Sequence, residues 1–238
     1  MDSYLAQRRP MTVGEILDRA FRLYLDNAGL FLGTVAVLLV PQAILDAIYV
    51  PLSILSIFTG TYSLGVLILV VAARDMDRQI TIREGYAALG LGTWLLLVVA
   101  NIIVGISVAI GFVLLVIPGI FLLVRLAFVS PAIVLERQGI GGALSRSWEL
   151  VAGSWWRAFG IGLLVFVIAG VGEGLLGAIL GRSVSPQVAQ VVGVLVGMLF
   201  QPFTTGALVL MYYDLRIRKE GSPGEPVGYG PVGAERRW

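Results

Sequence analysis

Four polar side chains lie inside long apolar segments of the sequence, and they are its strongest candidates for chemistry. They are Arg125, Glu173, Asp46 and Gln42. A charged side chain at the centre of a membrane costs about 2.5 to 3.5 kcal/mol on insertion scales, so it needs a partner or water. Arg125 and Glu173 each lie seven residues from the same side of the predicted membrane, and the other two come to compatible depths. The four are therefore predicted to form one polar cluster.

This polar cluster has three interpretations. It could bind a ligand or a lipid headgroup from the outside. Alternatively, Arg125 could form a structural ion pair that locks helices together, or it could extend its guanidinium to the outer interface. The sequence leaves open whether Arg125 pairs with Glu173, with Asp46 or with neither.

Two residue types are missing from the chain, which contains no cysteine and no histidine. These absences exclude disulfides, thiolate nucleophiles, thiolate metal ligands and imidazole acid–base catalysis. The two acids within apolar segments, Asp46 and Glu173, lack the Gly-x-Gly-Asp pattern of an intramembrane aspartyl protease. We therefore predict that the protein is not an enzyme and that it has no catalytic residue, cofactor or metal site.

The composition is typical of a membrane protein. Of the 238 residues, 58% are hydrophobic and 13% are charged, and the mean hydropathy is +0.91. Charged residues make up about 25% of an ordinary soluble domain. Six segments are apolar and about long enough to span a bilayer, covering residues 29–50, 52–73, 92–117, 119–135, 158–180 and 188–213. The predicted fold is an all-α integral membrane protein whose six transmembrane helices form three hairpins.

The basic residues predict the orientation. Every Lys and Arg except Arg125 and Arg182 lies before the first span, after the last span, or in the loops after the second and fourth spans. Such loops face the cytoplasm, so both termini are predicted to be cytoplasmic in a bacterial cytoplasmic membrane. No secretory signal peptide is predicted. Residues 1–219 should form the membrane domain, and residues 220–238, rich in glycine and proline, a disordered cytoplasmic tail.

Short amphipathic stretches precede the first, third and fifth spans, over residues 12–27, 81–90 and 142–155. The first two begin with the T-x-x-E pattern of a capping box, formed by Thr12 with Glu15 and by Thr81 with Glu84. Each stretch is predicted to be a helix that lies in the membrane interface. Their spacing indicates a threefold repeat, in which each unit is an interfacial helix followed by a hairpin.

Three prolines, Pro41, Pro131 and Pro202, fall inside the first, fourth and sixth spans. A proline in a transmembrane helix removes one backbone hydrogen bond, and polar neighbours can satisfy the freed carbonyl. Together with Gln201, these residues are predicted to mark helix kinks or to line a cavity. Broken helices often line the substrate sites of transporters, although a kink without transport is the simpler interpretation.

Aromatic and basic residues cluster near the predicted cytoplasmic ends of the spans, among them Trp148, Trp155 and Arg157. Aromatic belts mark membrane interfaces, and basic residues there favour anionic lipids. The predicted partners are therefore membrane lipids, with anionic headgroups at the cytoplasmic face, and a membrane or cytoplasmic protein is a further candidate. With a net charge of +2, no nucleic-acid partner is expected.

Four stretches carry a family resemblance: GEILDRA at 14–20, IPGI through Arg125 to FVSPA at 117–132, ALSRSW at 143–148 and YYDLR at 212–216. In this order and spacing they resemble the bacterial multi-pass family named as the membrane domain of glycerophosphoryl diester phosphodiesterase. In fused members of that family, a separate soluble domain with catalytic histidine performs the diesterase chemistry. No histidine is present here, so the resemblance implies a stand-alone membrane module connected with phospholipid or glycerophosphodiester handling.

Two hypotheses about function follow. The favoured one is a non-enzymatic inner-membrane module that binds lipid or organises partner proteins. The alternative is a small transporter or flippase with a polar site in the outer half of the membrane, around Arg125 and Glu173. A cavity that reaches Arg125 would favour the transporter, and a dry ion pair would count against it.

Overall fold

The structure is a computed structural model that describes residues 9–48, 55–180 and 185–220. The described residues form ten α-helices and no β-strand, which confirms the predicted all-α class. The predicted turn at 50–52, most of the loop after the fifth span and residues 221–238 of the predicted tail lie outside the described residues. In chain order the helices are α1 Val13–Asp26, α2 Ala28–Ile48, α3 Leu55–Asp75, α4 Ile82–Ala88, α5 Leu91–Leu114, α6 Val116–Leu126, α7 Val129–Glu136, α8 Ile140–Val151, α9 Trp155–Leu180 and α10 Pro186–Glu220.

Six helical stretches are long and apolar enough to cross a membrane, and each overlaps one predicted span. The prediction of six helices with the length and composition of membrane spans is therefore confirmed. The stretches are Ala28–Asp46, Leu55–Asp75, Leu91–Leu114, Val116–Glu136, Trp155–Ile179 and Val191–Lys219.

Helix α10 lies at the centre of the packing. It contacts α1, α2, α3, α8 and α9, and 56% of its apolar window is buried inside the protein. Helix α9 is the least covered of the six long stretches, with 17% of its window buried. Its apolar side chains therefore face mainly outward, as expected for a helix that meets lipid on most sides.

The capping boxes predicted for the first two short helices are present. Thr12 Oγ1 accepts a hydrogen bond from the Glu15 amide while the Glu15 carboxylate accepts from the Thr12 amide, and Thr81 and Glu84 repeat this exchange. Each box satisfies two amides that the first helical turn leaves without partners. The third short helix, α8, begins after Gly139 without a side-chain cap.

Each short helix packs on the second long helix of the neighbouring pair. Helix α4 packs on α3, α8 on α7, and α1 on the last helix, α10. Ile16 and Ala20 of α1 are buried, and Ala20 lies 3.8 Å from the position that a Cβ would take at Gly206. The short helices thus join one helix pair to the next. We call the end of the bundle where they lie the short-helix end.

A break divides the fourth long stretch into α6 and α7 at Ala127 and Phe128. The buried hydroxyl of Ser147, on α8, donates to the Arg125 carbonyl at 2.7 Å and accepts from the Phe128 amide at 3.1 Å. This side chain satisfies two backbone groups that the break leaves free. Pro131 follows the break and is the third residue of α7, so it lies in a first turn, where the missing N–H has no helical partner to lose. Pro131 was predicted to mark a helix kink or to line a cavity, and the break of this span lies three residues before it.

Three carboxylates bind arginines at the short-helix end. Asp75 pairs with Arg19 at 2.8 Å, and its side chain is fully buried. Glu136, nearly buried, pairs with Arg146 at 3.0 Å and accepts a hydrogen bond from Tyr212. Each of these ion pairs ties a short helix to the end of a long one.

Asp214, the third of these carboxylates, holds the segment that precedes α1. Its fully buried side chain pairs with Arg157 at 3.0 Å and with Arg218 at 2.9 Å, and it accepts from the Met11 amide at 2.8 Å. Both arginines also donate to the Met11 carbonyl. A carboxylate this deep tolerates burial because charged groups and a backbone amide surround it.

Candidate functional site

A cavity of 390 Å³ opens between α2, α9 and α10, with the first turns of α3 at its edge, and its exposed lining is mostly apolar. Because two acids and two glutamines also line it, we call it the polar cavity. It lies toward the end of the bundle opposite the short-helix end, where α2 finishes and α10 begins. Its volume is within the range of about 300 to 1,000 Å³ that small-molecule sites occupy. The residues that line this cavity are Leu39, Gln42, Asp46, Ser56, Glu173, Val194, Gly197, Met198, Gln201 and Thr204.

Gln42 and Asp46 form the buried side of the polar cavity. They are one turn apart on α2, a spacing that places both side chains on one face of a helix. The Gln42 amide nitrogen donates to Asp46 Oδ1 at 2.7 Å, and the residues are 5% and 3% exposed. The carboxylate of Asp46 is thus held in position by an uncharged donor.

Glu173 reaches the same cavity from α9, and it is exposed rather than buried. Gln201 and Thr204 come from α10, where the Thr204 hydroxyl donates to the Gln201 carbonyl at 3.0 Å. Two carboxylates and two glutamine amides therefore meet in one cavity from three different helices. Four of the predicted site residues, Gln42, Asp46, Glu173 and Gln201, thus line the same cavity. Their function as a site stays a prediction.

Two of the predicted prolines are directly adjacent to the glutamines of the cavity. Pro41 precedes Gln42 on α2, and Pro202 follows Gln201 on α10. Pro202 has no N–H, so the carbonyl of Met198, four residues earlier, loses its usual helical donor. Met198 itself lines the cavity. Both helices continue through their prolines, but each lacks one backbone N–H beside the polar side chains.

Arg125 lies elsewhere, so the prediction that it joins the polar cluster is wrong. Its Nη1 donates to the Trp148 carbonyl at 2.8 Å, and its guanidinium lies 5.2 Å from the Phe121 ring centre and 4.8 Å from that of Trp148. The Phe121 ring also stacks on Trp155, at the start of α9. Glu173 follows Trp155 by 18 residues on the same helix, about 27 Å along its axis at about 1.5 Å per residue.

This arrangement compensates the Arg125 charge without a carboxylate. The Trp148 carbonyl belongs to the last turn of α8, where helix carbonyls carry partial negative charge. Aromatic faces attract a guanidinium as well. The predicted depth of Arg125 was counted in residues along its own helix from the edge of the membrane. Such a count does not show that α8 packs across α6 beside Arg125.

Three side chains of the cavity's α10 face were not predicted from the sequence. They are those of Val194, Met198 and Thr204. With the predicted Gln201, these residues recur at intervals of three or four residues along α10, which places them near one another on its surface. That periodicity was present in the sequence. Without the position of α2 and α9, however, nothing distinguished this face of α10 from its other apolar faces.

The chain belongs to a family described as "Domain of unknown function (DUF7847)", whose model matches residues 43–215, well over half of the sequence. This match covers α10 up to Leu215 and the part of α2 that contains Asp46. No curated protein and no solved structure matches the chain. The resemblance to the membrane domain of glycerophosphoryl diester phosphodiesterase stays a prediction.

Proposed function

We propose that the protein is a non-enzymatic, multi-pass module of the bacterial cytoplasmic membrane that binds a lipid or similar amphiphile in the polar cavity. The observation that carries this proposal is the meeting of Asp46, Glu173 and two glutamines in a cavity between helices of membrane-spanning length. Acidic side chains in such helices are costly and mark functional sites by default. Leu39, Val194 and Met198 line the same cavity and would accept an apolar chain.

The orientation proposed from the basic residues places both termini in the cytoplasm, so the polar cavity lies in the outer half of the membrane. In this arrangement α1, α4 and α8 are the interfacial helices that precede three hairpins, and the short-helix end faces the cytoplasm. Arg22, Arg83, Arg137 and Lys219 are exposed at that end. These charges would attract anionic headgroups.

The proposed function is consistent with phospholipid or glycerophosphodiester handling, which the resemblance implies. A role in organising partner proteins is compatible with it, because the short-helix end presents charged side chains outside the membrane. The cavity favours a bound amphiphile over a scaffold alone. A scaffold has no need for two carboxylates between its spans.

Native mass spectrometry of gently extracted protein tests this proposal. We expect a specific amphiphile to remain bound to the unchanged protein and to be lost from Asp46→Asn, because this variant removes a charge from the buried side of the cavity. Glu149→Gln is the matched control, since Glu149 is an exposed carboxylate on α8. Identical bound species in all three proteins would overturn the proposal, provided that circular dichroism shows equal helix content.

A transporter or flippase is the second candidate, and the prolines beside Gln42 and Gln201 favour it. Interrupted helices at a polar site are a common feature of transporters. The cavity includes Glu173 but not Arg125, so the transporter hypothesis now depends on the carboxylates and glutamines alone. Protein-dependent movement of a headgroup-labelled lipid across proteoliposomes, lost in Asp46→Asn, would support transport in addition to binding.

A further inference from the structure

The polar cavity carries negative charge without a described counter-ion. Asp46 and Glu173 line it, and none of its described lining residues is Lys or Arg. Asp46 is only 3% exposed, and its hydrogen bond comes from the neutral amide of Gln42. A buried carboxylate is costly unless a cation or several donors compensate its charge. Among the described lining residues, no cation therefore offsets the charge of these two acids.

We propose that the ligand supplies this cation as a primary ammonium group attached to an apolar chain. This inference rests on the proposed function and names the chemical class of the amphiphile. The ammonium would lie between the carboxylates of Asp46 and Glu173. Its apolar part would extend along Leu39, Val194 and Met198.

The choice of a primary ammonium follows from the acceptors in the cavity. An –NH₃⁺ group offers three N–H donors and no acceptor. The cavity offers the carboxylates of Asp46 and Glu173 and the side-chain oxygen of Gln201, each from a different helix, so all three donors can be satisfied at once. A hydrogen bond between an ionised donor and an ionised acceptor is roughly twice as strong as a neutral one.

A quaternary ammonium fits the same cavity poorly. It has no N–H, and proteins recognise it with cages of aromatic rings. None of the described lining residues is Phe, Tyr or Trp. An anionic headgroup fits worse still, because it would bring a further negative charge beside Asp46 and Glu173. The cavity should therefore discriminate among headgroups by both charge and N–H donors.

The test compares two probes that differ only in their N–H groups, octylammonium and octyltrimethylammonium. Both are titrated below micelle formation into the full chain held in a neutral maltoside detergent, and binding is followed by calorimetry. We expect octylammonium to bind about tenfold more tightly or better, since hydrogen bonds to charged groups contribute about 1.5 to 3 kcal/mol. This preference should disappear in Glu173→Gln and persist in the control Glu149→Gln.

Glu173→Gln is the main test variant because Glu173 is exposed, so its substitution should leave the buried core intact. Asp46→Glu keeps the charge and should retain the preference, whereas Asp46→Asn should lose it. Short-chain phosphatidylethanolamine and phosphatidylcholine then distinguish a lipid headgroup from a soluble amine. Selective binding of the ethanolamine lipid identifies a lipid source, and binding of octylammonium without the lipid identifies a soluble amphiphilic amine.

Two results would overturn the ammonium assignment while leaving the proposed function in place. The first is equal binding of both octyl probes, with that binding still lost in Asp46→Asn. The second is octylammonium binding that appears only in Arg182→Gln, because Arg182, which lies outside the described residues, would then be the counter-ion. If neither the probes nor any co-purified amphiphile depends on Asp46 or Glu173, the proposed function fails as well.

Discussion

At the scale of single residues, the charged side chains that lie between helices are stabilised in two different ways. Arg125 has no carboxylate partner in the described structure and is stabilised by a helix-end carbonyl and two aromatic rings. Glu136 instead has a conventional partner in Arg146, with three N···O distances of 3.0 to 3.1 Å. The first arrangement holds α6 against α8, and the second holds α7 against α8.

A double-mutant cycle should separate Arg125 from Glu173. Because the two side chains are far apart, the effects of Arg125→Leu and Glu173→Gln on the free energy of unfolding should add within about 0.5 kcal/mol. The measurement is unfolding in detergent at increasing dodecyl sulfate, followed by circular dichroism. The cycle of Arg146→Leu with Glu136→Gln is the positive control, with an expected coupling of about 0.5 to 3 kcal/mol. Coupling of that size between Arg125 and Glu173 would restore the ion pair that was one of the alternatives left open by the sequence.

At the scale of helices, the short helix α4 is held in the bundle by its close contact with α3. Helix α4 is only seven residues long, so it is too short to be stable alone and depends on its contacts with α3. Gly85 faces Val66 and Val70 of α3. The absence of a side chain at Gly85 lets the two helices meet.

Gly85→Ala should weaken this helix contact. The added Cβ would come within 2.7 Å of Val70 Cγ2 and 3.3 Å of Val66 Cγ1, and both valines are fully buried and stiff at χ1. We expect the free energy of unfolding to fall by about 1 to 3 kcal/mol, the usual cost of overpacking.

Gly14→Ala is the matched control for this prediction. Gly14 is also a helical glycine near a capping box, but a Cβ there would have no neighbour within 4 Å. Alanine favours a helix over glycine by about 0.5 to 1 kcal/mol, so Gly14→Ala should be neutral or stabilising. The same dodecyl sulfate titration compares the two variants. Equal destabilisation by both variants would mean that the close approach of α4 to α3 does not depend on the missing side chain at Gly85.

At the scale of the whole molecule, the two ends of the bundle differ in character. The short-helix end holds the arginine-bound carboxylates Asp75, Glu136 and Asp214 and much of the large buried core. The opposite end holds the polar cavity, whose described lining contains acids but no basic residue. The ion pairs described here thus lie at the end of the bundle opposite the polar cavity.

Single cysteines should report which end faces the cytoplasm. The chain has no cysteine of its own, so a membrane-impermeant maleimide labels this protein only at the introduced cysteine. Ser185 and Ser145 are both exposed, at the start of α10 and within α8. In intact cells we expect Ser185→Cys to react and Ser145→Cys to react only after permeabilisation. The opposite pattern would place the polar cavity on the cytoplasmic side.

The sequence by itself determined the elements of this protein. Apolar length determined the six long helices, because a bilayer core of fixed thickness demands a fixed number of apolar residues. The capping boxes at Thr12 and Thr81 were equally readable, since their hydrogen bonds join residues three positions apart. The pairing of Gln42 with Asp46 is local in the same way, one helical turn apart.

Only the tertiary structure decided which elements meet. Ser147 stabilises the break between α6 and α7 from another helix, and Arg125 finds its partner on that same helix, so no local pattern could place either contact. The polar cavity likewise needs α2, α9 and α10 at once. Contacts between helices depend on crossing positions and close approach, which apolar periodicity leaves undetermined because every face of a membrane helix can be apolar.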